Sequence, residues 1–439
     1  MNYSIRQTFF STHLLVIYSA WISKIVNAIS QIVIIRYLIA YLGIDNYGLF
    51  AVLSSLAIWL SLTDCGFGTA LQNKFSELKA DDLNRDALIG QIRLIQIGLL
   101  IFWLPVLIFS AYPISLYISN KTEFTTAQMA ITIGVFSIIW MMNAVFGISY
   151  KILYAMHRGY ISNVYPAFAN ILSLGVIILL INQNYLENKI FFALLACNIP
   201  VAVMAMAANF HLGRNVYGLF ENIDMTALKK VAANASRFLG FSLLVTLVTG
   251  LDYIIMVKIL PPKDIAIYSI ASRVFSFIYI FYYSVLLALW PTFAELMHVR
   301  NYQKVKRILV ISIFQGVTII STGSGLLILF SKEVEMILTD NTVIIHTSTI
   351  LYFCFYYLLR VWGDTFSVVI ASVNKINILL IYLPIQALLS VILQYYFGRL
   401  FGIDGIIMGV ALSFLATAFW LNPFALKRLI QKRPLHEAK

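Results

Sequence analysis

Carboxylates are scarce in this chain and almost missing from its apolar stretches. There are 19 Asp and Glu against 31 Lys and Arg, and charged residues make up only 11% of the sequence. A soluble domain is about 25% charged. A hydrophobic content of 61% and a mean hydropathy of +0.86 therefore exclude a water-soluble protein and indicate an integral membrane chain. Cysteine is scarce too. Cys65, Cys197 and Cys354 are odd in number and far apart, which gives neither a disulfide framework nor a metal-ligand spacing. A nucleotide motif is missing: Ser321–Gly325 is rich in small residues but lacks the phosphate-loop pattern and lies inside an apolar segment, where it suits close helix packing. Long loops are missing as well, which leaves no room for an ATPase domain. No cofactor is expected.

What is present is a series of twelve apolar segments, near 14–40, 46–64, 94–118, 126–150, 161–181, 190–210, 238–260, 265–290, 308–330, 344–372, 376–398 and 403–426. Most reach the ~20 residues a helix needs to cross the hydrocarbon core. Barrel strands would be about 10 residues long with alternating polarity, so the expected class is all-α. The first segment is too long for a signal-peptide core and is expected to stay as a helix.

The net charge of +12 has a topological explanation. Loops on one side carry 21 cations and those on the other carry 7. The positive-inside rule then puts both termini in the cytoplasm and leaves no need for a nucleic-acid partner. The longest basic loop, 211–237, divides the helices six and six. The expected organisation is an N-terminal lobe (1–210), this central cytoplasmic loop, a C-terminal lobe (238–426) and a basic tail (427–439). Pro166 and Pro384 fall inside the fifth segment of each half, a weak sign of a parallel repeat.

Three cations sit deep in apolar segments: Lys24, Arg273 and Arg360. Such residues face water, a ligand or a partner, because a bare charge in hydrocarbon is costly. Helical spacing puts Lys24, Asn27 and Gln31 on one face. Similar stripes run through Ser242, Thr246, Thr249 and Asp252 or Tyr253; through Ser269, Arg273, Ser276 and Tyr279; and through Tyr356, Arg360, Asp364 and Ser367. Only Asp252 and Asp364 lie at comparable depth. Asp252 and Arg273 are each roughly 12 Å from the outer end of adjacent helices and are able to meet; Arg360 and Asp364 are spaced i, i+4 for pairing. Lys24 has no acidic neighbour in its half. The excess intramembrane charge is positive, which fits an anionic ligand. Arg36 is near enough to the outer face to snorkel, and most tyrosines suit the interfacial belt, with Tyr279 and Tyr356 as candidates for a sugar path.

Several short runs resemble polysaccharide flippases of the multidrug/oligosaccharidyl-lipid/polysaccharide exporter superfamily. They are Tyr41-Leu-Gly-Ile-Asp-Asn-Tyr-Gly-Leu-Phe50, Asp64-Cys-Gly-Phe-Gly-Thr-Ala-Leu-Gln-Asn73, Lys151-Ile-Leu-Tyr-Ala155 with Gly159-Tyr-Ile-Ser-Asn163, Ile267-Tyr-Ser-Ile270 and Leu289-Trp-Pro291. The match is closest to the O-antigen (Wzx-type) flippases. That resemblance implies two six-helix bundles in a V, in the bacterial inner membrane. It also implies ion-driven alternating access that moves an undecaprenyl-pyrophosphate-linked oligosaccharide outward, and not an enzyme. Lys24, Asn27, Gln31, Arg273 and Arg360 are the expected substrate-binding residues. Asp252 and Asp364 are the carboxylates open to coupling with H⁺ or Na⁺. A polymerase and a chain-length regulator of the same pathway are implied partners. A drug exporter of the superfamily is the nearest alternative, but cationic drugs favour carboxylates, and segment 14–40 has none. A membrane glycan polymerase or glycosyltransferase needs longer catalytic loops than the outer loops of about 5–15 residues here.

Overall fold

The computed structural model describes residues 2–77, 84–119, 125–156, 158–181, 188–212, 225–373 and 381–431. Residues 213–224 of the expected central loop, Lys375, and 432–439 of the expected tail lie outside the described residues. Among the described residues all regular structure is helical, as the segment lengths require of a chain that must satisfy its own backbone in lipid.

The chain contains two compact units, Met1–Leu243 and Leu244–Lys439. The first holds α1 (Asn2–Leu42), α2 (Ile44–Leu60), a 3₁₀ turn (Ser61–Asp64), α3 (Phe67–Glu77), α4 (Asn84–Ser119), α5 (Thr126–Phe146), α6 (Ile148–Ala155), α7 (Gly159–Ile181), α8 (Lys189–Leu212) and most of α9 (Met225–Thr249). α1 lies along α7, α7 along α8, and α5 packs on both α4 and α8. α9 begins at Met225, so the second half of the expected 211–237 loop is helical rather than irregular. Its run Met225–Phe238 is a Gly-free, Pro-free stretch rich in Ala and Lys, good helix formers that hydropathy alone passes over.

The second unit holds α10 (Asp252–Ile259), α11 (Pro262–Ala288), α12 (Trp290–His298), α13 (Tyr302–Leu329), α14 (Ser331–Thr339), α15 (Thr347–Ser372), α16 (Leu383–Ala416) and α17 (Ala418–Gln431). α15 is its central element and packs on α11, α12, α13, α16 and α17. Tyr282, Phe275, Phe293 and Phe353 fill the core around it. α13 comes close enough to α15 and α11 that a Cβ on Gly316 would stand 2.5 Å from Val361 and 2.7 Å from Tyr282. Pro384 occupies the first turn of α16, where a missing N–H costs nothing, rather than the interior of a span.

Among the described residues, eleven helical spans are long and apolar enough to cross a membrane. The last, Leu383–Gln431, has 49 residues, about twice what one crossing needs. It contains Gly402, at φ 60° and ψ −134°. On either side of it Gly405 abuts Phe397 and Gly398, and Gly409 abuts Leu393 and Gln394. The chain thus turns back on itself at Gly402, and the span is a tight antiparallel hairpin. Counting it as two is consistent with the twelve apolar segments.

Candidate functional site

In the first unit the polar groups gather along the seam between α1 and α7. The Asn170 side-chain amide donates to the Asn27 side-chain oxygen at 2.9 Å and to the Pro166 carbonyl at 3.1 Å. Two turns earlier, Asn163 donates to Ser19 Oγ at 3.0 Å and to the Val16 carbonyl at 3.3 Å, and accepts from the Tyr154 hydroxyl. In apolar surroundings these amides are the specific contacts between two otherwise greasy helices. Asn27 is therefore committed to α7. Lys24, one turn away, is half-buried, and Gln31 is exposed. Among the described residues no hydrogen bond or ion pair engages the Lys24 ammonium.

A second polar cluster in this unit lies at the end of α2. Asp64 Oδ1 accepts from the Gly66 amide at 2.8 Å. Lys151 Nζ donates to Asp64 Oδ2 at 3.2 Å and to Thr69 Oγ1 at 3.3 Å. Cys65 and Gly66 are both left-handed, at φ 49° and 76°. This ties the two short sequence runs that begin at Asp64 and Lys151 into one structural feature, a helix break closed by an ion pair.

In the second unit, the span that carries Asp252 is interrupted. α9 ends at Thr249, two residues are bent, and α10 starts at Asp252. The carboxylate is thus at a helix N-terminus, where the helix dipole favours a negative group. It accepts from the Tyr268 hydroxyl at 2.6 Å and from the Tyr253 amide at 3.0 Å. Arg273, half-buried on α11, lies between Tyr268 and Tyr279 in sequence.

Arg360 and Asp364 do meet, Nη2 to Oδ2 at 3.4 Å. Around them is a tyrosine cluster that helical spacing alone does not reveal. The Arg360 guanidinium lies 4.6 Å from the ring centre of Tyr279, 5.7 Å from Tyr357 and 6.0 Å from Tyr356. Such contacts hold a cation by the negative faces of the rings. The Tyr279 hydroxyl donates to Asp364 Oδ2, and Tyr283 stacks on Tyr279 at 5.8 Å. Behind the cluster, Tyr282 bonds Thr365 and the Val361 carbonyl. Ser367, from the same sequence stripe, turns the other way and accepts from Asn422 of α17 at 2.9 Å. Among the described residues no group of His, Cys, Asp and Glu is placed to hold a metal ion.

Comparison with known proteins gives these features a context. A family model described as MatE matches residues 239–396. A relative from Salmonella typhi named "Putative O-antigen transporter" is 32% identical over 416 residues, 94% of this chain and 95% of its own length. Among solved structures, the lipid II flippase MurJ in an inward closed conformation superposes with a TM-score of 0.70 at 15% identity, covering 94% of this chain and 87% of that one. An inward-facing multidrug resistance MATE family transporter of the MOP superfamily also gives 0.70, at 14% identity, covering 92% and 96%. The two structural likenesses establish the fold, and the relative matched over nearly its whole length makes the protein a transporter and not an enzyme. With sequence identity running through nearly the whole of both chains, the protein belongs to the O-antigen transporter family.

Proposed function

We propose that the protein is a secondary transporter of the bacterial inner membrane. It carries an undecaprenyl-pyrophosphate-linked O-antigen oligosaccharide from the cytoplasmic to the periplasmic leaflet by alternating access of two six-helix lobes, with both termini cytoplasmic. The observation that carries this reading is Lys24. It is half-buried in a long apolar helix, and no group among the described residues pairs with it. A pyrophosphate with two or more negative charges supplies the missing counter-charge. Arg273 adds positive charge on the other unit. Asp252, at the start of a broken helix, is the carboxylate we assign to ion coupling, by H⁺ or Na⁺. The relative's name and the flippase fold support the reading.

The experiment is complementation of a flippase-deletion strain, with the leaflet distribution of lipid-linked intermediates measured. Restored surface polysaccharide and cleared inner-leaflet intermediates are expected. Intermediates that persist while the protein is expressed at normal level would reject it.

A further inference from the structure

The Arg360 cluster has the wrong charge for a phosphate site. Arg360 is already paired with Asp364 and covered by ring faces, so the cluster is close to neutral. Yet it is not closed. Both charged side chains keep about a quarter of their surface accessible, 27% and 26%, midway along an apolar 26-residue helix. An ion pair opening onto lipid is costly, so the opening faces water or a ligand. Its hydrogen-bonding capacity is also partly unused. Asp364 accepts from both Tyr279 and Arg360 on Oδ2, and among the described residues none reaches Oδ1. The hydroxyls of Tyr283 and Tyr356 likewise have no hydrogen-bond partner among the described residues. Arg360 reaches Asp364 through Nη2, which leaves guanidinium donors over from its five.

A near-neutral site with spare donors, spare acceptors and aromatic faces suits a polyhydroxylated ligand. Sugar hydroxyls both donate and accept, and the apolar face of a pyranose stacks on an aromatic ring. We infer that Arg360, Asp364, Tyr279, Tyr283 and Tyr356 form a subsite for a sugar of the transported oligosaccharide, distinct in chemistry from the pyrophosphate-binding Lys24. This rests on the lipid-linked reading above and assigns Arg360 and Asp364 to hydroxyl recognition rather than to phosphate binding or ion coupling.

The test uses the full-length protein in lipid nanodiscs and two probes. One is the lipid-linked repeat unit that accumulates in the flippase-deletion strain; the other is undecaprenyl pyrophosphate without sugar. Asp364→Asn and Tyr356→Leu should each weaken the sugar-bearing lipid about tenfold. Binding of the bare lipid should stay within about twofold, and Tyr356→Phe should weaken the sugar-bearing lipid less than Tyr356→Leu, because it keeps the ring and loses only the hydroxyl. Thermal unfolding identifies any variant that fails to fold, and Tyr283→Leu then replaces it. Equal weakening for both probes would make the cluster a phosphate or structural element and overturn the subsite, as would no change for either. Loss with Lys24→Ala is expected for both probes alike. Failure of the wild type to bind either lipid would instead refute the lipid-linked reading, and the subsite with it.

Discussion

Asn170 on α7 holds Asn27 on α1 at 2.9 Å, one helical turn from a lysine with no partner among the described residues. The amide pair fixes how α1 is rotated, and so where the Lys24 ammonium stands. Its loss should act on the lysine as well as on stability. Asn170→Ala is expected to cost about 0.6–1.7 kcal/mol, the range for interhelical hydrogen bonds in membranes. The Asn27→Ala, Asn170→Ala double variant should cost less than the sum of the singles, since both remove the same contact. Unfolding of the three variants measures this; strict additivity would mean that the pair contributes nothing.

Lys24→Ala should abolish surface polysaccharide at unchanged protein level, and Lys24→Arg should keep part of it. Full activity in Lys24→Ala would remove the residue from the site. Loss of protein in both variants would make its role structural.

Tyr268→Phe removes the hydroxyl that Asp252 accepts at 2.6 Å and leaves the half-buried carboxylate with less hydrogen bonding. A destabilisation of about 1–3 kcal/mol is expected, read as a lower midpoint of thermal unfolding. An unchanged midpoint would show that the bond is not needed to keep Asp252 at the helix break.

Gly43 and Gly66 provide a matched pair. Both have a positive φ, 75° and 76°. A Cβ at Gly43 meets nothing within 4 Å, whereas at Gly66 it would run into Ala235 O and come within 2.8 Å of Leu239 N in α9. Gly43→Ala should cost only the conformational strain of about 1–3 kcal/mol. Gly66→Ala adds a backbone clash and should sharply reduce folded protein. Similar losses in both would show that α9 yields at this contact.

A cysteine at Phe220, in a background without Cys65, Cys197 and Cys354, should resist an impermeant thiol reagent added from outside the inner membrane. Labelling from that side would reverse the orientation drawn from the cation distribution.

The segments of this fold were legible in the sequence because a bilayer imposes a length on every crossing. The segments 376–398 and 403–426 even anticipated the turn at Gly402. The Arg360–Asp364 pair was legible because i, i+4 neighbours on a helix meet without tertiary help. The tyrosine cluster was not: Tyr279 comes from α11, and its approach to Asp364 depends on how two helices are rotated against each other. The contacts of Asn170 and Asn163 with α1 were hidden for the same reason. The break before Asp252 did leave a local sign, Gly250 two residues before an acid, the pairing that ends one helix and begins the next. It was hidden inside a stretch whose apolar character looked continuous.

Gly398, Gly405 and Gly409 bring the two arms of the final hairpin into backbone contact. Asp404, two residues past its turn, accepts from Thr349 of α15 at 2.7 Å. No lipid tail fits between arms that touch in this way. During biosynthesis the two arms are thus suited to enter the bilayer together, as a single insertion unit, and to dock on α15 afterwards. A chain cut at the turn would leave a glycine-lined groove facing lipid, with no side chains to fill it, and membrane quality control would have a defect to recognise even though the residues before the cut are complete.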